Sequence, residues 1–240
     1  YASRQALRYD IARIGNKLYD WNLDVVDKDK GTVQFAENCT IENSQEMDLF
    51  GYMKTKKKGA NDEDNEEKSA SDVRTGPVRI SHAIALEYYK SDMDFLNNKG
   101  LADRIGEFPN LANVEEHMSY YTYTITIDLE KIGVDKNIEL PKGERIKRVN
   151  QLLEIIKVLN RDIRGREENL SPLFVIGGMY KLNSPFFLGR IKLDANKGQY
   201  SINTNILEDT VRLKIGEENI FDNTKIGLVK DIFSNQDEIQ

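Results

Sequence analysis

The chain has 240 residues, of which 39% are hydrophobic and 31% are charged. A chain of this length and composition forms one large globular domain, or one domain with a sizeable insertion, and it buries a core without needing disulfides or metals. The net charge of −6 argues weakly against nucleic-acid binding, because phosphate groups attract cations, but clustered basic residues override the net charge.

The cysteine content and hydropathy indicate a cytoplasmic protein. The single cysteine, Cys39, excludes a disulfide framework and fits a reducing compartment, and we interpret it as a structural thiol. The sequence contains no run of eighteen apolar residues and no charged-then-apolar leader, so neither a membrane span nor a signal peptide is predicted. Because the chain does not begin with Met, we expect native residues to precede it.

The first predicted element is an amphipathic helix that runs to about Leu18, with Ser3 as its N-cap. Its apolar residues at helical spacing are Leu7, Ile11, Ile14 and Leu18. Beside this stripe Arg4, Gln5 and Arg8 fall within an arc of roughly 100°. The arc is either a solvated helix face or a phosphate-binding surface formed by side chains and free N–H groups at the helix start.

Residues 54–76 are predicted to form a flexible insertion loop between a strand in FGYMK and a strand in PVRISHAIALEYY. This segment combines lysines with an acidic block at 62–67 and contains almost nothing apolar, so it cannot bury enough surface to become ordered. Its lysines are Lys54, Lys56, Lys57, Lys58 and Lys68. Two explanations fit the composition of this loop equally well. The acidic residues keep the lysines solvated, or the loop has a binding role.

Residues 88–120 lack a clean period and are predicted to be an irregular excursion with a short helix. The following segment, HMSYYTYTITIDLE, alternates Tyr121, Tyr123, Ile125 and Ile127 with threonines, which predicts a half-buried strand. Earlier in the chain, before residues 54–76, the segment from TVQFAEN to DLFGYM shows short β-type runs and few helix signals.

A second helix is predicted after ELPKGER and is expected to end at Gly165. Its apolar face contains Val149, Leu152, Leu153, Ile156, Leu159 and Ile163. Around its last turn lie Arg161, Arg164 and Arg166, where cations suit the helix dipole.

Three later segments, PLFVIGGMY, FFLGRIKLD and DTVRLKIG, are predicted to be strands. In the first of them, Gly177 and Gly178 indicate a bulge or a close backbone approach. With a strand expected before Tyr1, the order becomes β-α-β…β-α-β, so we predict an α+β fold of ferredoxin-like (RRM-like) type, with residues 1–240 as a single domain.

No catalytic or metal-binding motif stands out, and we predict no cofactor and no metal. The two histidines, His82 and His117, lack metal-type neighbours, and neither a nucleophile elbow nor a phosphate-binding glycine loop is present.

Several segments, taken together, resemble the DevR-type CRISPR-associated autoregulator family. The matching segments, which run from Ser3 to about Leu228, are SRQALRYDI, LFGYMKTKKKG, PVRISHAIALE, NKGLADRI, HMSYYTYTITIDL, RDIRGREENLSPLFVIGG and SPFFLGRI. This family is the backbone ("Cas-seven") subunit of a type I-B Cascade complex within the RAMP superfamily. The resemblance implies an RRM-like palm with loop insertions called fingers and thumb.

The resemblance also implies a function and a set of partners. Such proteins hold a CRISPR guide RNA by its backbone, polymerise along it in a helical filament, and leave its bases free to pair with target DNA. They work with other Cascade subunits, have no membrane partner, and do not cut. Sequence-independent contacts suit a subunit that must accept any guide.

The site residues that follow from the resemblance are expectations. The predicted RNA-binding set is Ser3, Arg4, Gln5, Arg8, Lys54, Lys56, His82, Arg164, Arg166, Gly177 and Gly178. In this interpretation the acidic block at 62–67 faces solvent or a partner protein. The thumb corresponds to 88–120, and an apolar tip that wedges between bases is expected from Met93, Phe95 or Phe108.

Other functions fit parts of the sequence. A RAMP endoribonuclease that processes CRISPR RNA would use His82 or His117 as a general acid or base. A scaffold that also cleaves target RNA would use a loop aspartate, with Asp92, Asp94 and Asp103 as candidates. A protein-interaction domain, in which every arginine cluster is a solvated face, would not bind single-stranded RNA at moderate salt.

Overall fold

The computed structural model describes residues 1–29, 32–55 and 71–239. The sequence predictions for Lys56, Lys57, Lys58 and the acidic block at 62–67 therefore lie outside the described residues. The described helices are α1 (Arg4–Tyr19), α2 (Gln45–Phe50), α3 (Lys99–Ala102), α4 (Lys142–Lys157), α5 (Thr204–Val211), α6 (Ile220–Asn223) and α7 (Gln236–Ile239). None of them is long and apolar enough to cross a membrane.

Within the same residues the strands form antiparallel pairs, and the mixture of helices and strands is compatible with the predicted α+β class. The pairs before α4 are β1 (Val26–Asp29) with β2 (Thr32–Phe35), β3 (Gly51–Lys54) with β4 (Asp72–Thr75), β5 (Val78–Ile80) with β10 (Ile125–Ile127), β6 (Ile84–Ala85) with β9 (Tyr121–Thr122), β7 (Asp92–Asn97) with β8 (Leu111–Glu116), and β11 (Val134–Asp135) with β12 (Ile138–Glu139). The pairs after α4 are β13 (Asn160–Ile163) with β14 (Arg166–Asn169), β15 (Phe174–Gly178) with β20 (Thr224–Leu228), β16 (Leu193–Asn196) with β17 (Gln199–Ile202), and β18 (Lys214–Ile215) with β19 (Glu218–Asn219).

The largest core lies between helices α1 and α4 and one face of the β5–β10 pair. Val78 and Ile80 face this core together with their cross-strand partners Ile127 and Ile125. Because side chains alternate across a strand, the intervening residue of β5 lies on the opposite face of the pair. Local periodicity thus correctly predicted Leu7, Ile11 and Ile14 of the α1 stripe and the alternation in β10, whereas Leu18 is half exposed and does not join this core.

Helix α1 begins as predicted. The Ser3 hydroxyl accepts the backbone N–H of Ala6 at 3.1 Å, which satisfies one of the free donors at the helix start. The helix ends at Tyr19, where Asp20 adopts a left-handed conformation with φ 55°. Cys39 is buried and free, in agreement with a structural thiol.

Helix α4 is shorter than predicted, because the chain turns at the arginine-rich segment and forms the β13–β14 hairpin. Arg164 and Gly165 form the two-residue loop, with φ of 52° and 76°. Positive φ at both central positions is the requirement of a hairpin turn, and glycine meets it without strain. The arginines of this segment therefore do not surround a helix end, and the predicted helix over 158–165 is wrong.

Two other segments differ from the sequence prediction. The predicted strand DTVRLKIG instead begins with the last turn of α5, whose N-cap Asn203 accepts the Ile206 N–H at 3.3 Å, and continues to the short β18. Residues 45–50, where helix signals are weak, form α2. Both helices have Asn or Ser at the N-cap, and this was the local signal that the periodicity analysis missed.

The two predicted insertions contain regular structure. In 54–76, Asp72–Thr75 forms β4 and pairs with β3, so the chain returns to the sheet before PVRI. In 88–120, predicted to be irregular, β7 and β8 pair over six positions, with α3 between them. The strands of this hairpin are almost fully solvent-exposed, which is why no burial period marks it in the sequence.

A buried ionic network joins α2, β4 and α4. The Asp48 carboxylate is fully buried and lies 2.9 Å from a guanidinium nitrogen of Arg74 and 2.9 Å from one of Arg148. It also accepts the Gly133 N–H at 2.8 Å. Both guanidinium groups donate further to backbone carbonyls, so almost every polar atom of the network is satisfied.

We expect Asp48→Asn to destabilise the protein by about 3 kcal/mol or more, because two buried arginines then lose their shared counter-charge. Urea unfolding followed by circular dichroism measures the change. The matched control is Asp103→Asn, which breaks an exposed ion pair with Lys99 and is expected to change stability by less than about 0.5 kcal/mol. Equal effects of the two substitutions would contradict a stabilising role for the buried network.

We expect Tyr123→Phe to raise stability by about 1 kcal/mol, because the Tyr123 hydroxyl is buried without a hydrogen-bond partner among the described residues. Burial also raises the pKa of this phenol to about 12. The contrasting control is Tyr52→Phe, which removes a 2.8 Å hydrogen bond to Asp135 and is expected to lower stability. Thermal melts of both variants measure the two signs, and a lower melting temperature for Tyr123→Phe would disprove the assignment.

Candidate nucleic-acid interface

The start of α1 is held against the segment that follows β5. Ala2 and Ala83 form an antiparallel bridge, with reciprocal N–H···O bonds of 2.9 and 3.0 Å. Two residues after Ala2, the Arg4 N–H donates to His82 Nδ1 at 3.2 Å. The backbone donors of Arg4 and Ala6 are therefore already used within the protein, and they cannot form the predicted helix-start grip on phosphate. The Arg4 and Gln5 side chains are exposed and remain able to bind a ligand.

The contact to Arg4 also indicates which tautomer the neutral His82 ring adopts. Because a backbone N–H only donates, the Nδ1 atom of His82 carries a lone pair, and the neutral ring has its proton on Nε2. The ring is exposed and meets the Tyr1 ring edge-on, with 4.9 Å between centroids. His82 thus both positions the helix start and presents an N–H donor beside Arg4.

A further cation lies on the outer face of the β5–β10 pair, opposite the core. Arg79 is exposed there and is paired across the strands with Thr126. Among the described residues, neither Arg79 nor Arg4 forms an ion pair. Arg79 was not predicted as a site residue, although its position between two core residues in VRI is a signal for a cation on the solvent face.

Arg8 lies one turn after Arg4 but has different surroundings. Its guanidinium group forms an ion pair with Glu46 at 2.9 Å and lies over the Phe50 ring, 5.1 Å from the centroid. The side chain keeps 35% of its exposure. It borders a groove of about 530 Å³ between the β1–β2 hairpin and β3.

The prediction that Lys54 reaches RNA is wrong, because its ammonium group is buried. It donates to the carbonyl oxygens of Cys39 and Glu37 and lies 5.1 Å from the centroid of the Tyr52 ring. Burial lowers the pKa of Lys54. The residue anchors β3 to the segment before α2. This role depends on carbonyl groups that are distant in the sequence, so the lysine-rich segment alone does not reveal it.

The arginines of the β13–β14 hairpin lie apart from the start of α1. Arg166 forms a two-pronged ion pair with Glu116 of β8, at 2.8 and 2.9 Å, and this contact lowers the pKa of Glu116. Arg161 donates to Asp10 of α1 at 2.8 Å. These two guanidinium groups join structural elements, whereas Arg164 is exposed at the turn.

The two glycines of β15 have different surroundings. A Cβ atom on Gly178 would overlap the carbonyl of Asn223, so the close backbone approach predicted there is made by the chain itself. A Cβ atom on Gly177 would meet nothing within 4 Å, which leaves that position open to solvent.

The predicted thumb residues separate into two groups. Met93 and Phe95 lie on β7, in the body of the hairpin and on the same face as each other. Phe108 lies in the connection between α3 and β8 and is 94% exposed. Leu101 on α3 and Ile105 in the same connection are also exposed and were not identified from the sequence.

The histidines differ in how well they suit acid–base chemistry. The Nδ1 atom of His117 lies 2.8 Å from the Lys90 carbonyl, and its Nε2 atom is buried without a partner among the described residues. A ring with both nitrogens withdrawn from solvent does not reach a scissile phosphate in this conformation. The ring of His82 is exposed, so His82 is the more accessible of the two histidines.

Comparisons with known proteins agree with the resemblance seen in the sequence. The model of the family described as CRISPR-associated negative auto-regulator DevR/Csa2 matches residues 1–197, which is most of the chain. No curated protein matched the chain. The chain therefore belongs to the DevR/Csa2 family of CRISPR-associated proteins.

Proposed function

We propose that this chain is a non-catalytic, guide-RNA-binding backbone subunit of a type I CRISPR Cascade complex, of type I-B. The observation that carries the proposal is the exposed Arg4 at the start of α1, whose backbone contacts the His82 ring, together with the exposed Arg79 three residues before His82 in the chain. Cations without a carboxylate partner on a protein of net charge −6 are suited to an anionic ligand. Family membership makes RNA the most suitable ligand.

The chemistry of this surface favours contacts to the RNA backbone. Guanidinium groups bind phosphate oxygens through charge-assisted hydrogen bonds, whereas Gln5 and the Nε2–H of His82 donate to phosphate or ribose oxygens. None of these contacts depends on base identity. A subunit with this surface accepts any guide sequence and leaves the base edges free to pair with target DNA.

The arrangement of the elements supports the remaining parts of the proposal. Helices α1 and α4 cover one face of β5–β10, so this unit acts as an RRM-like palm with its RNA on the open face. The β7–β8 hairpin is the thumb, and β3–β4 is the base of a finger insertion. In the assembled complex, copies of the chain follow the guide RNA in a helical filament and contact other Cascade subunits in the cytoplasm.

We expect Arg4→Ala and Arg79→Ala each to weaken binding of single-stranded RNA about tenfold, and to do so equally for unrelated sequences. The slope of log K against log salt should become shallower by about 0.7 for each lost phosphate contact. Fluorescence anisotropy of labelled RNA over a salt series measures both quantities. A loss confined to one RNA sequence would contradict the backbone grip.

The matched control is Arg212→Ala, which removes the same charge from an exposed, ion-paired position on α5. We expect it to leave RNA affinity nearly unchanged. A gel of the RNA recovered after binding tests the non-catalytic part of the proposal, since a scaffold returns intact RNA. Cut RNA would favour the endoribonuclease, and His82→Ala would then be the variant that should abolish cleavage.

A further inference from the structure

We propose that the groove beside Arg8 binds one unpaired nucleobase of the single-stranded RNA and does so by stacking, without selecting its identity. The proposal rests on the proposed function, because the same RNA backbone must pass along α1. It adds a binding site that contacts a base, whereas the contacts described above involve only phosphate and ribose.

The groove has the size and the surface that a nucleobase requires. Its volume of about 530 Å³ lies within the range of small-ligand sites, roughly 300–1,000 Å³. Its apolar lining is formed by Val26, Val33, Phe35, Phe50, Tyr52 and Met53. Val33 is 70% exposed and Met53 is 63% exposed. Apolar and aromatic side chains in a cationic groove are the common way to bind single-stranded nucleic acid.

Arg8 connects the groove to the surface at the start of α1. One nitrogen of its guanidinium group is paired with Glu46, and the exposed remainder keeps donors for a phosphate oxygen. Arg4 and Arg8 are one helical turn apart, about 6 Å along the helix axis. A single backbone segment therefore contacts both arginines and places the adjoining base at the mouth of the groove.

The polar side chains that line the groove are already engaged, which excludes readout of a base edge by these groups. The Gln34 amide oxygen accepts the N–H of Thr55 at 3.0 Å and its hydroxyl at 2.8 Å. The Gln34 amide nitrogen faces the Thr55 carbonyl at 3.4 Å. Arg74 donates to Asp48 and to backbone carbonyls. A base in the groove consequently meets apolar surface and the Arg8 plane, which every base accepts equally.

The test compares the full chain with the double variant Val33→Gln, Met53→Gln. Both side chains are exposed, so the variant keeps its fold and its charge. The matched control is Leu18→Gln, Leu153→Gln, which changes two exposed apolar residues of α1 and α4 outside the groove. The probes are labelled oligouridine, oligoadenosine and an abasic ribose-phosphate strand of equal length, each measured by anisotropy.

We expect the groove variant to bind both base-containing strands about fivefold more weakly, since stacking of one base contributes about 1 kcal/mol or more. Its affinity for the abasic strand and its salt slope should equal those of the unmodified chain. Arg8→Ala should instead weaken all three probes and flatten the slope. The control variant should bind like the unmodified chain.

Three results would overturn the nucleobase site. Unchanged binding of the groove variant would show that no base enters the groove, while the backbone grip would stand. An equal loss for the abasic strand would mean that the groove acts on the backbone or serves another partner. Failure of the unmodified chain to bind any probe would remove the proposed function and the base site together.

Discussion

The carboxylate of Asp48, enclosed between Arg74 and Arg148, is the interaction on which the arrangement of the site depends. It fixes helix α2 to β4 and α4, and α2 in turn carries Glu46, the partner of Arg8. Loss of the buried charge would free α2 and the base of the β3–β4 insertion at once. The position of the half-buried Arg8 thus depends on an ion pair in the interior, where low polarity makes the pairing obligatory.

The arginines fall into two groups, those that form an ion pair with a carboxylate and those that do not. Those with a carboxylate partner on a separate element are Arg8, Arg74, Arg145, Arg148, Arg161 and Arg166. Arg4 and Arg79, by contrast, are exposed and form no ion pair among the described residues. Much of the negative charge therefore neutralises structural cations, so a net charge of −6 is compatible with a cationic surface.

Short-range sequence patterns predicted the parts of the fold that are determined by interactions between residues close in the sequence. Helix α1, its Ser3 cap and the alternation in β10 follow from periodicity and capping. The extension of α4 past Lys157 was predicted because Leu159 remains apolar and buried at a helix-compatible spacing, although the chain has already left the helix. The burial of Lys54 against the Cys39 carbonyl depends on contacts between distant segments, which no local pattern contains.

The β7–β8 hairpin is held by polar contacts at its base. Glu87 accepts hydrogen bonds from Tyr200 of β17 at 2.8 Å and from Ser119 at 2.9 Å, and these bonds lower its pKa. Glu116 pairs with Arg166 and its pKa is lowered as well. Carboxylates with lowered pKa values stabilise the fold above the ordinary carboxyl pKa and lose that contribution as the pH falls through the lowered value. At neutral pH the hairpin is therefore oriented by its base, and its apolar residues remain available for contact with other molecules.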